Sequence, residues 1–173
     1  MEENSRLKIF HEDARVFMRK AAAENYDVIY MDAFGTLFSV PTHLTTVEFL
    51  QGIENALNED GALIMNLGGA LTGDGSGFLR AEIATLRQIF PQVRLFKVDA
   101  AKRDDEMQNL IIVANNKRLP DKIETQDSKL KALLDNEFRG PLDLTLPPLT
   151  DDLAPVEFYN SIAQTHYAWE RED

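Results

Sequence analysis

The chain has 173 residues and no cysteine, which is enough for one domain with a real core and leaves no disulfide, thiolate nucleophile or cysteine zinc site. A net charge of −11 argues against a nucleic-acid footprint, which needs a basic patch, and is compatible with a cationic small-molecule substrate. His11, His43 and His166 are too scattered for a metal cluster, no run approaches a membrane span, and the N-terminus is acidic rather than signal-like, so the expectation is a cytoplasmic protein without metal, nucleic-acid or membrane partners.

In chain order, residues 6 to 12 alternate apolar with polar and predict a strand. Asp13 is placed to cap a helix from Ala14 to Ala23. Tyr26 to Phe34 holds the near-continuous apolar run Val28-Ile29-Tyr30-Met31, the pattern of a central strand buried on both faces of a parallel sheet. Thr45 and Glu48 have capping-box spacing and open a helix predicted to reach Asn58. Ala62 to Leu67 predicts a second buried strand. A glycine-dense loop, Gly68 to Gly77, leads to a helix over 78–90 with Leu79, Ile83 and Leu86 inward, stopped by Pro91.

Val93 to Val98 and Asn109 to Ala114 predict strands joined by a charged turn, an antiparallel hairpin at a sheet edge. From residue 117 the character changes. A short helix over 129–138 is followed by Gly140, Pro141, Pro147 and Pro148, which impose an irregular, extended path. Residues 156–169 then have helical composition, with Phe158, Ile162 and Tyr167 as expected anchors. The order predicts an α/β layered domain over 1–116, with a mostly parallel sheet and a closing hairpin, and an extension over 117–173 packed on it.

Asp32 is the leading candidate for chemistry. Ligands of open α/β sheets bind beyond the carboxyl ends of the strands, and Asp32 stands at such an end; an Asp there also commonly caps a turn. His43, in the next loop, is a base or a structural histidine. Asp151 and Asp152 either bind a cationic substrate or cap the next segment. The glycine loop lacks dinucleotide-fingerprint spacing and reads as a rim or lid.

The order and spacing of several segments carry a family resemblance. They are Asp13-Ala14-Arg15, Tyr26 to Phe34, Pro41 to Phe49, Leu57 to Met65, Gln108 to Ala114 and Thr150 to Glu157. Together they resemble the spermidine synthase family of polyamine aminopropyltransferases, especially its spermidine-synthase-like branch with Asp-Ala-Phe in place of a fuller acidic motif. The resemblance implies a class I methyltransferase (Rossmann-like) fold and aminopropyl transfer from decarboxylated S-adenosylmethionine to an amine. It also implies Asp13, with Ala14 beside it, at the donor's adenine, and Asp32 as catalytic residue at the reacting amine. Phe34 and Asp152 are then on the substrate side.

Two departures stand out. Gly35 occupies the position of the family's second aspartate, and the part that supplies the first two strands, the glycine-rich cofactor loop and an N-terminal β domain is not in this sequence. The resemblance thus implies a partial fold lacking its first two strands, with a gap between the Asp13 strand and the Asp32 strand. The explanations are a truncated product, a fragment, or a natural half that pairs as a homo-oligomer (a dimer) or with a missing N-terminal part. The alternatives in function are a methyltransferase using S-adenosylmethionine itself and a non-catalytic binding or assembly module.

Overall fold

A computed structural model describes residues 7–21, 26–33 and 40–170, with side chains to residue 165. The elements in order are α1 (Ala14–Ala21), β1 (Tyr26–Met31), α2 (Val47–Ala56), β2 (Leu57–Gly69), α3 (Gly77–Ile89), β3 (Gln92–Lys97), β4 (Gln108–Asn115), α4 (Ser128–Asp135) and α5 (Val156–Glu170). The strands form one sheet in the order β1-β2-β4-β3. β1 and β2 are parallel, and β4 is antiparallel to both β2 and β3. Three strands therefore run one way, with β4 inserted against them. The expected hairpin forms, with β3 as the edge and β4 inside the sheet.

The crossovers β1-α2-β2 and β2-α3-β3 progress in the same direction. With the usual right-handed connection both helices fall on one face of the sheet. Burial follows from this. Leu63, Met65 and Leu67 on β2, and Leu110 and Ile112 on β4, point under the helices and are fully buried. They meet Leu50 and Ile53 of α2 and Leu79, Ile83 and Leu86 of α3. Each such side chain contributes roughly 1.5–3 kcal/mol by leaving water. The alternate β2 positions, Ala62, Ile64 and Asn66, face the other side and are half-buried.

Several expectations are corrected. Residues 8–13 form no strand; Leu7 makes an isolated bridge, and Phe10 lies exposed against the Phe17 ring at 4.8 Å. Alternation alone does not make a strand; that also needs a continuous ladder with a neighbour. β1 is not buried on both faces. On the face away from α2, Val28 and Tyr30 are 54% and 59% exposed, and the strand pairs with β2 on one edge only among the described residues.

The α2 cap is Thr46, one residue later than predicted: its hydroxyl accepts the Phe49 N–H at 3.4 Å. Glu48 does not close a capping box, because its carboxylate accepts the Asp151 N–H at 3.0 Å. α2 ends at Ala56 and passes straight into β2. The β1–β2 register then jumps from Tyr26↔Leu57 to Val28↔Ala62. Gly61 sits in that bulge, where a Cβ would stand 3.0 Å from the Tyr26 and Asn58 carbonyl oxygens.

Residues 139–150 take the extended path that their prolines predict. They cross α3 as a strap, with Arg80 Nε donating to the Asp143 carbonyl at 2.6 Å and the Leu149 N–H donating to the Thr85 hydroxyl at 2.9 Å. The strap ends against α2, where the Val47 N–H reaches the Leu149 carbonyl at 2.8 Å. α5 then covers the glycine loop. Gly75 and Ser76 are buried, and a Cβ on Gly77 would lie 3.0 Å from the Tyr159 ring, so this loop is not a free rim. On α5, Phe158 is 62% exposed, while Val156, Asn160 and Ala163 face inward; the Tyr167 side chain lies outside the described residues.

Candidate active site

β1 and β2 are parallel, so their carboxyl ends open on the same side of the sheet, together with the α2 N-terminus. Asp32 follows the last residue of β1 and is exposed. Its Oδ1 accepts a hydrogen bond from Asn66 Nδ2 of β2 at 3.1 Å. The Met31↔Met65 register sets this pair, one step further along both strands. Asn66 thereby orients the carboxylate and leaves its second oxygen for another donor.

Asn66 Oδ1 has no hydrogen-bond partner. Gln108, which pairs with Gly69 at the end of β2 on the helix-covered face, opposite to that of Asn66, has none at Nε2 or Oε1 although it is only 6% exposed. Buried polar atoms without partners are costly in a fold and common where a ligand completes them. Neither residue was singled out from sequence, since a polar side chain within an apolar strand carries no local signal for what it faces.

A second grouping gathers at the α1 N-terminus. Asp13 caps α1, its Oδ1 accepting the Val16 N–H at 3.0 Å. His43 Nε2 lies 2.8 Å from Asp13 Oδ2, so Nε2 carries its proton toward the carboxylate. The Val16 N–H first, and His43 second, hold the Asp13 carboxyl below its ordinary range. His43 thus partners Asp13, and its carbonyl accepts Arg15 Nη1 at 3.2 Å. Arg15 also binds Asp151 with both terminal nitrogens, and the Thr46 hydroxyl donates to Asp151 Oδ1 at 2.7 Å. Arg15 and then Thr46 hold the Asp151 carboxyl low.

Arg15, Thr42, His43, Thr46 and Asp151 line an open groove of about 440 Å³, a size that suits a small molecule. Ala14 is exposed at the first turn of α1. Asp152 is exposed in the turn after Asp151, and Phe34 lies outside the described residues. No group of three or more His, Cys, Asp or Glu that could hold a metal occurs among the described residues.

A sheet in the order β1-β2-β4-β3, with helices α2 and α3 on one face and the Asp32 carboxylate at a strand end, defines an α/β protein of class I methyltransferase-like fold. The solved structures it resembles agree. They include a probable spermidine synthase from Corynebacterium glutamicum (TM-score 0.58, 21% identity, 94% of this chain and 53% of that one). They also include the Thermotoga maritima spermidine synthase (TM-score 0.54, 18% identity, 94% and 52%). Human methyltransferase-like protein 13 in complex with SAH is similar too (TM-score 0.53, 20% identity, 84% and 67%).

The chain belongs to the spermine/spermidine synthase domain family, which it matches over residues 2–117. Over 110 residues it is 33% identical to a polyamine aminopropyltransferase of Vibrio vulnificus, covering 62% of this chain and 33% of that protein. Over 112 residues it is 31% identical to an N-terminal histidine N-methyltransferase of Emericella nidulans, covering 62% and 19%. The chain thus spans a third or less of these curated relatives.

Proposed function

We propose that this chain carries the acceptor side of a spermidine-synthase-like transferase, which moves an aminopropyl group from decarboxylated S-adenosylmethionine to a small-molecule amine. The observation that carries the reading is Asp32 at the end of β1, where Asn66 of β2 holds one carboxylate oxygen and leaves the other for an incoming amine. In this reaction the amine nitrogen attacks the carbon beside the sulfonium. An N–C bond forms, the C–S bond breaks, and its electron pair returns to sulfur, leaving a neutral thioether. The nitrogen must shed a proton. A carboxylate at that point orients the amine, takes or relays the proton and offsets the positive charge.

In the same proposal Asp13, with Ala14 beside it, receives the adenine amino group of the donor. Asp13 fits this role because its oxygens keep lone pairs beyond those used by Val16 and His43. Phe34 and Asp152 stand on the substrate side. Residues 1–116 form the family unit and 117–173 an extension on it. The outer edge of β1, the end of the strand order β1-β2-β4-β3, receives further sheet from a second copy or from more of the same protein. The cytoplasm is the proposed setting.

Methyl transfer from S-adenosylmethionine is the second reading, supported by the 31% identity to a histidine N-methyltransferase and by Gly35 standing where the enzymes carry a second aspartate. The test is calorimetric titration with decarboxylated S-adenosylmethionine, S-adenosylmethionine and methylthioadenosine, followed by product analysis with a diamine. Tighter binding of the decarboxylated donor and an aminopropylated product are expected. A methylated product assigns the second reading, and silence from all three ligands overturns both and leaves a binding or assembly module.

A further inference from the structure

On the opposite edge of the sheet, four arginines from separate parts of the chain converge. Arg87 comes from α3, Arg94 from β3, Arg118 from the segment after β4 and Arg139 from the segment after α4. They line a groove of about 490 Å³ in which the carboxylates are those of Asp121 and Glu137, an excess of two positive charges. The chain as a whole carries −11. A second lobe of about 620 Å³ shares Arg94, Glu137 and Arg139, and its two lysines and two further carboxylates balance one another.

The base of the groove is a desolvated charge cluster. Arg94 is 8% exposed and Glu137 11%. Arg94 Nε and Nη2 each donate to the Glu137 carboxylate at 2.7 Å. Arg139 Nη2 donates to the same carboxylate at 2.5 Å and to the Asp121 carbonyl at 2.8 Å. One carboxylate is therefore shared by two guanidiniums, with the Asp121 carboxylate lining the same groove, and the surplus positive charge is that of the exposed Arg87 and Arg118. In addition, Arg94 Nη1 is buried without any hydrogen-bond partner. A buried N–H donor left unpaired costs stability. An anion in the groove supplies the missing acceptor and meets the surplus charge of Arg87 and Arg118. Arginine is the residue suited to this, because its planar fork meets phosphate oxygens two at a time.

We propose that this groove binds a phosphate-bearing small molecule, its phosphates spanning Arg87 and Arg118 at the mouth and Arg139 and Arg94 at the base. Each lobe has the volume of a small-molecule site, and Phe90 and Val93 give the groove an apolar wall. An extended polyanion such as RNA is disfavoured, since it would lie against the acidic remainder of the surface. The site is separate from Asp32 and does not depend on the transfer chemistry.

The experiment is calorimetric titration of the protein with inorganic phosphate, inorganic pyrophosphate and adenosine triphosphate at low salt, repeated with the Arg87→Ala/Arg118→Ala variant. Both residues are exposed, so the variant keeps its fold, checked by circular dichroism. Saturable binding is expected, weakened about tenfold or more for each arginine removed and weakened again by added salt. Asp32→Asn is expected to leave it unchanged. Preference among the three probes separates a free phosphate ligand from a nucleotide. No saturable binding of any probe, or equal affinity in the double variant, overturns the proposal.

Discussion

Arg15 and Asp151 meet across 136 residues of chain, with Nη1 and Nη2 reaching the two carboxylate oxygens at 2.8 and 2.5 Å. The pair joins the α1 N-terminus to the end of the strap, and Thr46 ties the same carboxylate to the α2 cap. The strap is thereby closed over the corner that holds Asp13 and His43.

This closure predicts a measurable coupling. In a double-mutant cycle of Arg15→Ala and Asp151→Ala, read by urea unfolding, the pair is expected to couple by about 1 kcal/mol, a value discounted for partial exposure. The pH dependence has a definite sign. Asp151 is held below its ordinary value of 3.8, so its contribution is fully present above that value and is lost as pH falls through the lower folded value. The coupling should therefore be intact at neutral pH and vanish in strong acid. Coupling that persists in strong acid contradicts the assignment.

Thr85 is completely buried, and its hydroxyl accepts the N–H of Leu149, itself buried. Thr85→Val preserves shape but orphans that N–H. The expected loss is roughly 1–3 kcal/mol, measured by denaturant midpoint with an unchanged slope. A neutral result would mean that the strap does not depend on this bond.

Glu82 on α3 is fully buried, and neither carboxylate oxygen has a partner. Burial raises its pKa well above the ordinary 4.5. The folded state keeps a proton that the unfolded state releases, so stability falls as pH rises from the unfolded value toward the folded one. Glu82→Gln removes this penalty, at about 1.4 kcal/mol for each pH unit in that window. Melting temperature is expected to decline between mildly acidic and neutral pH in the wild type and to stay level in Glu82→Gln. Parallel profiles would show that Glu82 is ionised in the folded state.

Local patterns carried much of this fold. The Asp13 cap, the run Val28–Met31, the inward face of α3 and the β3–β4 hairpin were all legible, because each depends on neighbours a few residues away. Whether β1 is central or marginal was not legible, since the same apolar run serves a strand with one neighbour or two. The shift of the α2 cap from Thr45 to Thr46 has a long-range cause: Glu48 is taken by the backbone of Asp151. The partners of the candidate site residues, Asn66 for Asp32 and His43 for Asp13, come from other elements and leave no periodic trace in sequence. Asp32 itself was legible by its place at a strand end. Asp151, with Asp152, was read as binding a cationic substrate or capping the next segment, whereas its carboxylate is taken within the fold by Arg15 and Thr46.

The most direct measurement is steady-state turnover and donor affinity for Asp32→Asn beside the wild type. The substitution keeps the shape of the side chain and removes the proton acceptor. The account predicts a fall in kcat of about a hundredfold or more, the usual scale for losing a general base, with donor Kd essentially unchanged. Equal losses in turnover and donor affinity would contradict the placement of Asp32 on the acceptor side.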